Sequence, residues 1–196
     1  TWADFLGLEF DNFENWGQTG IGCRAISERI AECHMRNKFT SEDVIIVQWT
    51  GHLRHDYYKP LPHPSKGRNN NLGWKTLGNI FNEWNSEIFD HNWENKFFWE
   101  PAYVMHSMNA MILVQNFLES IGCEWYMTSI GEWPKLGTDV DFDKTSPYMP
   151  EDAVIQEEMP WLAPYVDAIW HGQFKDRWLE PMFHHAQQRK DLAWYF

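Results

Sequence analysis

The stretch Val44-Ile45-Ile46-Val47-Gln48-Trp49 constrains the fold more than any other part of the chain. An unbroken β-branched run has lost the alternation of a half-solvated strand. It therefore predicts a strand covered on both faces, the habit of parallel sheets. The run breaks abruptly into Thr50-Gly51-His52-Leu53-Arg54-His55-Asp56. Ligands of open parallel sheets bind beyond the carboxyl ends of the strands, so Gln48, Thr50 and Arg54 are candidate substrate contacts. The plainer alternative is a solvated loop with an Arg54–Asp56 or His55–Asp56 pair, worth little energetically.

Upstream, Trp2 to Leu6 reads as a helix end stopped by Gly7, and Leu8 to Phe13 alternates apolar and polar like a short strand. Asn15-Trp16-Gly17-Gln18-Thr19-Gly20-Ile21-Gly22 follows as a glycine-spaced turn. Ile21 to Met35 then places Ile21, Ala25, Ile30 and Cys33 near one helical face. Strand, helix and the Val44 to Trp49 strand together predict a right-handed βαβ unit. Spaced glycines bring backbone amides close to a ligand, and the helix start adds partial positive charge. The spacing Gly17-x-x-Gly20-x-Gly22 is not the dinucleotide fingerprint. A tight turn needing positive φ explains it equally well.

Downstream, residues 59–99 read as an insertion, a polar loop followed by an aromatic-rich helical cap. Pro101 and Gly122 bracket a long helix, Ala102 to Ser120, whose methionines and large apolar residues call for deep packing. Cys123 to Ile130 reads as a third strand. Ala153 to Trp170 is partly helical. The whole, 1–196, is expected to form one domain.

The formal net charge is -12, and no basic stripe is present, so nucleic acid and anionic membranes are poor partners. No apolar run reaches membrane-spanning length. Cys23 and Cys33 fall ten residues apart on one predicted helix, roughly 15 Å, beyond disulfide reach. Reduced thiols and the lack of a signal-peptide pattern predict a cytoplasmic protein. The 13 Trp, 13 Phe and 7 Tyr suit a packed core, a half-buried binding surface or contacts between copies, a homo-oligomer. The nine histidines include no His-Glu-x-x-His and no His-x-His pair, so neither metal nor cofactor is expected.

Near the C-terminus, Glu180-Pro181-Met182-Phe183-His184-His185 offers a histidine close to a carboxylate, a general-base arrangement. Adjacent histidines point in different directions, so only one faces a given site.

Taken together, the Asn15–Gly20 turn, the Val44–Trp49 strand with its polar end and the terminal histidines resemble the SGNH or GDSL-type hydrolase superfamily. The likeness covers most of the chain, particularly to divergent phage and bacterial members. It implies a three-layer α/β sandwich with a central, mostly parallel, flavodoxin-like sheet. It also implies hydrolysis of a small-molecule or carbohydrate ester. Gly20 matches the glycine whose amide binds the oxyanion, and Gly51 stands in the block that completes that hole. His184 or His185 matches the base, with Glu180 near the place of its acid. Trp49-Thr50-Gly51-His52 replaces that family's Gly-x-Asn-Asp. Its nucleophilic serine precedes the helix that Trp2 to Leu6 resembles. It is therefore expected upstream of Thr1, with the central strand that carries it supplied there, by a partner chain or by a rearranged strand. Two rival readings are a non-catalytic module that binds a glycan or protein through Trp74, Trp84, Trp93 and Trp99, and a transferase holding a diphosphate at the glycine turn.

Overall fold

The computed structural model describes residues 2–18, 20–52, 54–58, 74–79, 96, 99–130 and 160–181. Its elements run α1 (Trp2–Leu6), α2 (Cys23–Asn37), β1 (Val44–Trp49), β2 (Arg54–Tyr58), β3 (Trp74–Asn79), α3 (Glu100–Ile121), β4 (Glu124–Ser129) and α4 (Ala163–Val166). This is a mixed helix-and-strand chain with a short parallel sheet, an α/β architecture.

β1 and β4 pair in parallel from Val44 opposite Glu124 to Trp49 opposite Ser129. A parallel pair needs a long crossover, and α3 supplies it. The helix starts beside Trp99 with a proline in its first turn. It ends at Gly122, whose amide closes onto the carbonyls of Leu118 and Glu119. On the far side of β4, Trp178 bridges Met127 in parallel, and the Leu179 amide donates to the Met127 carbonyl at 2.7 Å. β2 and β3 form a separate antiparallel pair.

The core gathers Val47 and Trp49 from β1, Trp125 and Met127 from β4, Cys23 from α2, and Val104, Met108, Met111 and Leu118 from α3. Leu162, Val166 and Ile169 close it. Each side chain of this size contributes about 1.5–3 kcal/mol when fully buried. α3 is deeply packed except along an exposed stripe of His106, Leu113 and Asn116. The three cysteines are free, two of them on α2 as its length demands.

Two expectations fail. Leu8 to Phe13 forms no strand: Gly7–Glu9 is a 3-10 turn followed by a bend, and Leu8, Phe10 and Phe13 are exposed. The βαβ unit is therefore β1–α3–β4, not one opened by Leu8. Residues Trp74–Asn79, read as part of a helical cap, are β3 instead; most of the 59–99 insertion lies outside the described residues. Among the described residues, no helix is long and apolar enough to cross a membrane.

Candidate functional site

Both α2 and α3 run antiparallel to the strands that follow them, so their first turns return to the carboxyl end of β1 and β4. Contacts show this directly. The Cys23 thiol, in the first turn of α2, donates to the Thr50 carbonyl at 3.4 Å, and the Ser107 side chain of α3 reaches the same thiol. Polar side chains concentrate here. Of eight buried polar residues among those described, six belong to this rim: Thr50, His52, Asp56, Ser107, Thr128 and Ser129. Burying polar groups costs free energy unless they are partnered, so a core that gathers them at one end has a reason beyond packing.

Asp56 organises the rim. Its carboxylate is buried and accepts from the Gly22 amide at 2.7 Å and the Ala25 amide at 2.8 Å. These are the amides that a helix start leaves without internal partners. α2 thus takes its cap from a strand 34 residues away. Gly22 itself has no side chain to offer, and a Cβ there would lie 2.5 Å from Asp56 Oδ2. Those two amides of the helix start are thus already occupied by a carboxylate.

The neighbours of Asp56 on β2 divide their work. Arg54 Nη1 donates to the Ile21 carbonyl at 3.0 Å, and burial lowers its pKa. His55 turns instead to α3, with Nδ1 2.9 Å from the Tyr103 hydroxyl. Between Arg54 and Asp56 the register with β3 slips by one, so Leu77 and Gly78 together oppose His55. Bulges of this kind re-aim side chains and recur beside active sites. Burial lowers the His55 pKa from 6.5, Asp56 opposes that shift and Arg24 adds to it; burial also raises Tyr103.

A pH dependence follows. The unfolded chain protonates His55 at a higher pH than the folded chain, so stability falls as pH drops below about 6.5. Comparing unfolding midpoints at pH 7 and pH 5, the protein should lose more than its His55→Gln variant. Equal losses would mean that the buried imidazole carries no such penalty.

The other expected site residues are placed as follows. Gly20 has φ +81°, as a tight turn requires. Asn15 Oδ1 accepts from the Gly17 amide at 2.9 Å, and Arg29 Nε donates to the Trp16 carbonyl at 2.8 Å. Gln48 Oε1 accepts from Trp2 Nε1 at 2.8 Å, so this side chain ties α1 to β1. Thr50 is buried, its hydroxyl without a hydrogen-bond partner among the described residues. Gly51 is exposed just past β1. Glu180 is exposed, and its carbonyl accepts from Thr128 Oγ1 at 2.8 Å. His184 and His185 lie outside the described residues.

Cys23 is no nucleophile, since burial pushes its thiol up to about 12. Among the described residues, no three His, Cys, Asp or Glu side chains come together as a metal site. Compared with known proteins, the chain matches no protein-family model, no curated protein and no solved structure.

Proposed function

We propose that the chain is an acyl-ester hydrolase of SGNH-like type, a three-layer sandwich around the parallel sheet with its substrate held at the carboxyl rim. The observation that carries this reading is the gathering of buried Thr50, His52, Asp56, Ser107, Thr128 and Ser129 where two helix starts meet two strand ends. The amides of Gly20 and Gly51 would receive the oxyanion, Gly20 from a turn held open by its positive φ. The strand-like segment carrying Glu180 runs parallel to β4 and so heads for the same rim. Three residues beyond Pro181, His184 is within about 10 Å of chain reach of that point. No nucleophile is assigned among the described residues; given the serine that the family uses, His184 or His185 would be the base that takes its proton as the acyl-enzyme forms and returns that proton to the leaving alcohol, and Glu180 would hold the base's tautomer. Arg54 and Gln48 keep the rim in shape while lining it.

The test is hydrolysis of 4-nitrophenyl acetate, 4-nitrophenyl butyrate and acetylated sugars by the purified chain, beside H184A and H185A. Turnover that one of the two variants abolishes supports the reading; no turnover on any substrate sinks ester hydrolysis by this chain as written. Exposed Phe5 and Leu8 favour a second reading, a protein-binding module. An inactive chain whose solution mass exceeds the monomer would fit that reading instead.

A further inference from the structure

Trp99 and Trp161 come from distant parts of the chain yet stack, with ring centroids 6.1 Å apart and planes inclined by 21°. Both stay open to solvent, at 58% and 41% exposure, although indole is costly to leave wet. The pair is anchored from below. Trp99 caps α3, its carbonyl accepting from the Ala102 amide at 2.9 Å, and Trp161 precedes Leu162, which is fully buried in the core. One helical turn beyond Trp99, Tyr103 meets His55 at the rim.

From this placement we infer that Trp99 and Trp161 form a stacking platform for a neutral saccharide, the non-reacting part of the substrate. The inference rests on the reading of the rim as the substrate site. A pyranose presents an apolar C–H face that lies flat on indole and an edge of hydroxyls that needs polar partners. The platform supplies the flat step, and the Tyr103–His55 pair one turn away supplies polar atoms. Binding sites combine apolar walls with a few placed polar groups in this way. An organic cation is a poorer fit, because aromatic cages enclose a cation with rings at steep angles, whereas these two rings are nearly parallel. A polyanion is disfavoured by the net charge of -12.

The test is calorimetric titration of the purified chain with xylohexaose, cellohexaose, chitopentaose and mannohexaose, and with tetramethylammonium as the cationic probe. W99A and W161A are run alongside, with melting curves to confirm folding. The expected result is that one saccharide binds and each variant weakens it about five- to tenfold, the worth of one stacked ring. Saccharide binding without any ester turnover would sink the hydrolase reading and leave the platform standing. Three outcomes overturn the platform: no saccharide binds, the variants bind as tightly as the parent, or tetramethylammonium alone binds. A fourth is a dimer of the parent chain that W99A dissociates, since the pair would then be a self-interface.

Discussion

Replacing Asp56 by Ala should cost about 3 kcal/mol, the loss of two hydrogen bonds to a charged acceptor together with a helix cap. For a chain of 196 residues this corresponds to a fall of roughly 6–12 °C in the thermal unfolding midpoint. The Gly22 and Ala25 amides are buried against the carboxylate, at 2.7 and 2.8 Å, so water cannot simply take its place. Asp56→Asn should fall between the two. Its amide oxygen keeps one acceptor, while its NH2 turns a donor toward a donor. The damage should also be directional. The first turn of α2 positions Cys23 against Thr50 and Ile21 against Arg54, so Asp56→Ala should loosen the rim before it loosens β4. Circular dichroism melts check the magnitude and hydrogen exchange checks the direction. A midpoint within about 1 °C of the parent would show that the α2 start is satisfied by other groups.

The cap explains what was legible in the sequence and what was not. β1 could be read to the residue, because an uninterrupted β-branched run has few other uses, and the polar break after it contains Thr50, His52 and Asp56, which the structure buries. α3 could be read from Pro101 and Gly122, since helix ends are written in local chemistry; its observed bounds are Glu100–Ile121. Asp56 could not. Capping is recognised from a Ser, Thr, Asp or Asn beside the helix start, and here the carboxylate arrives from another strand. The available signal was a deficit: α2 opens on Gly22 and Cys23 with no adjacent side-chain cap.

β2 was hidden for a related reason. Arg54, His55 and Asp56 look like a solvated loop, but Arg54 and Asp56 fasten α2 while His55 fastens α3. A strand whose side chains brace helix starts shows no apolar alternation. Leu8 to Phe13 is the converse case. It has the alternation, yet its apolar residues face water, and alternation without a pairing partner does not make a strand. The terminal histidines were legible only as a motif.

The Asn15–Gly22 turn is held from behind by Arg29, which gives the second large effect. Arg29 is buried on α2. Its Nε donates to the Trp16 carbonyl at 2.8 Å, its Nη1 to Gln18 Oε1 at 3.1 Å, and its guanidinium lies 5.8 Å from the Trp16 ring centroid. Arg36 covers the same ring at 5.6 Å, and Glu14 bonds both Trp16 Nε1 and Asn37 Nδ2. Residues 14–18 are therefore strapped along α2 in antiparallel sense, and the strap sets where Gly20 presents its backbone. Arg29→Met keeps the volume and removes every polar contact, so it should cost about 2 kcal/mol, near the worth of hydrogen bonds to one charged group. Amide exchange across 15–22 should accelerate by at least tenfold, roughly the same energy expressed locally. Arg29→Lys should rescue only part of this, since an ammonium cannot span both acceptors with a planar fork. If Gly20 receives the oxyanion, ester turnover should fall in Arg29→Met further than stability alone explains, at a temperature where the variant is fully folded. Unchanged exchange across 15–22 would show that the turn is rigid without Arg29, leaving that residue a role in packing alone.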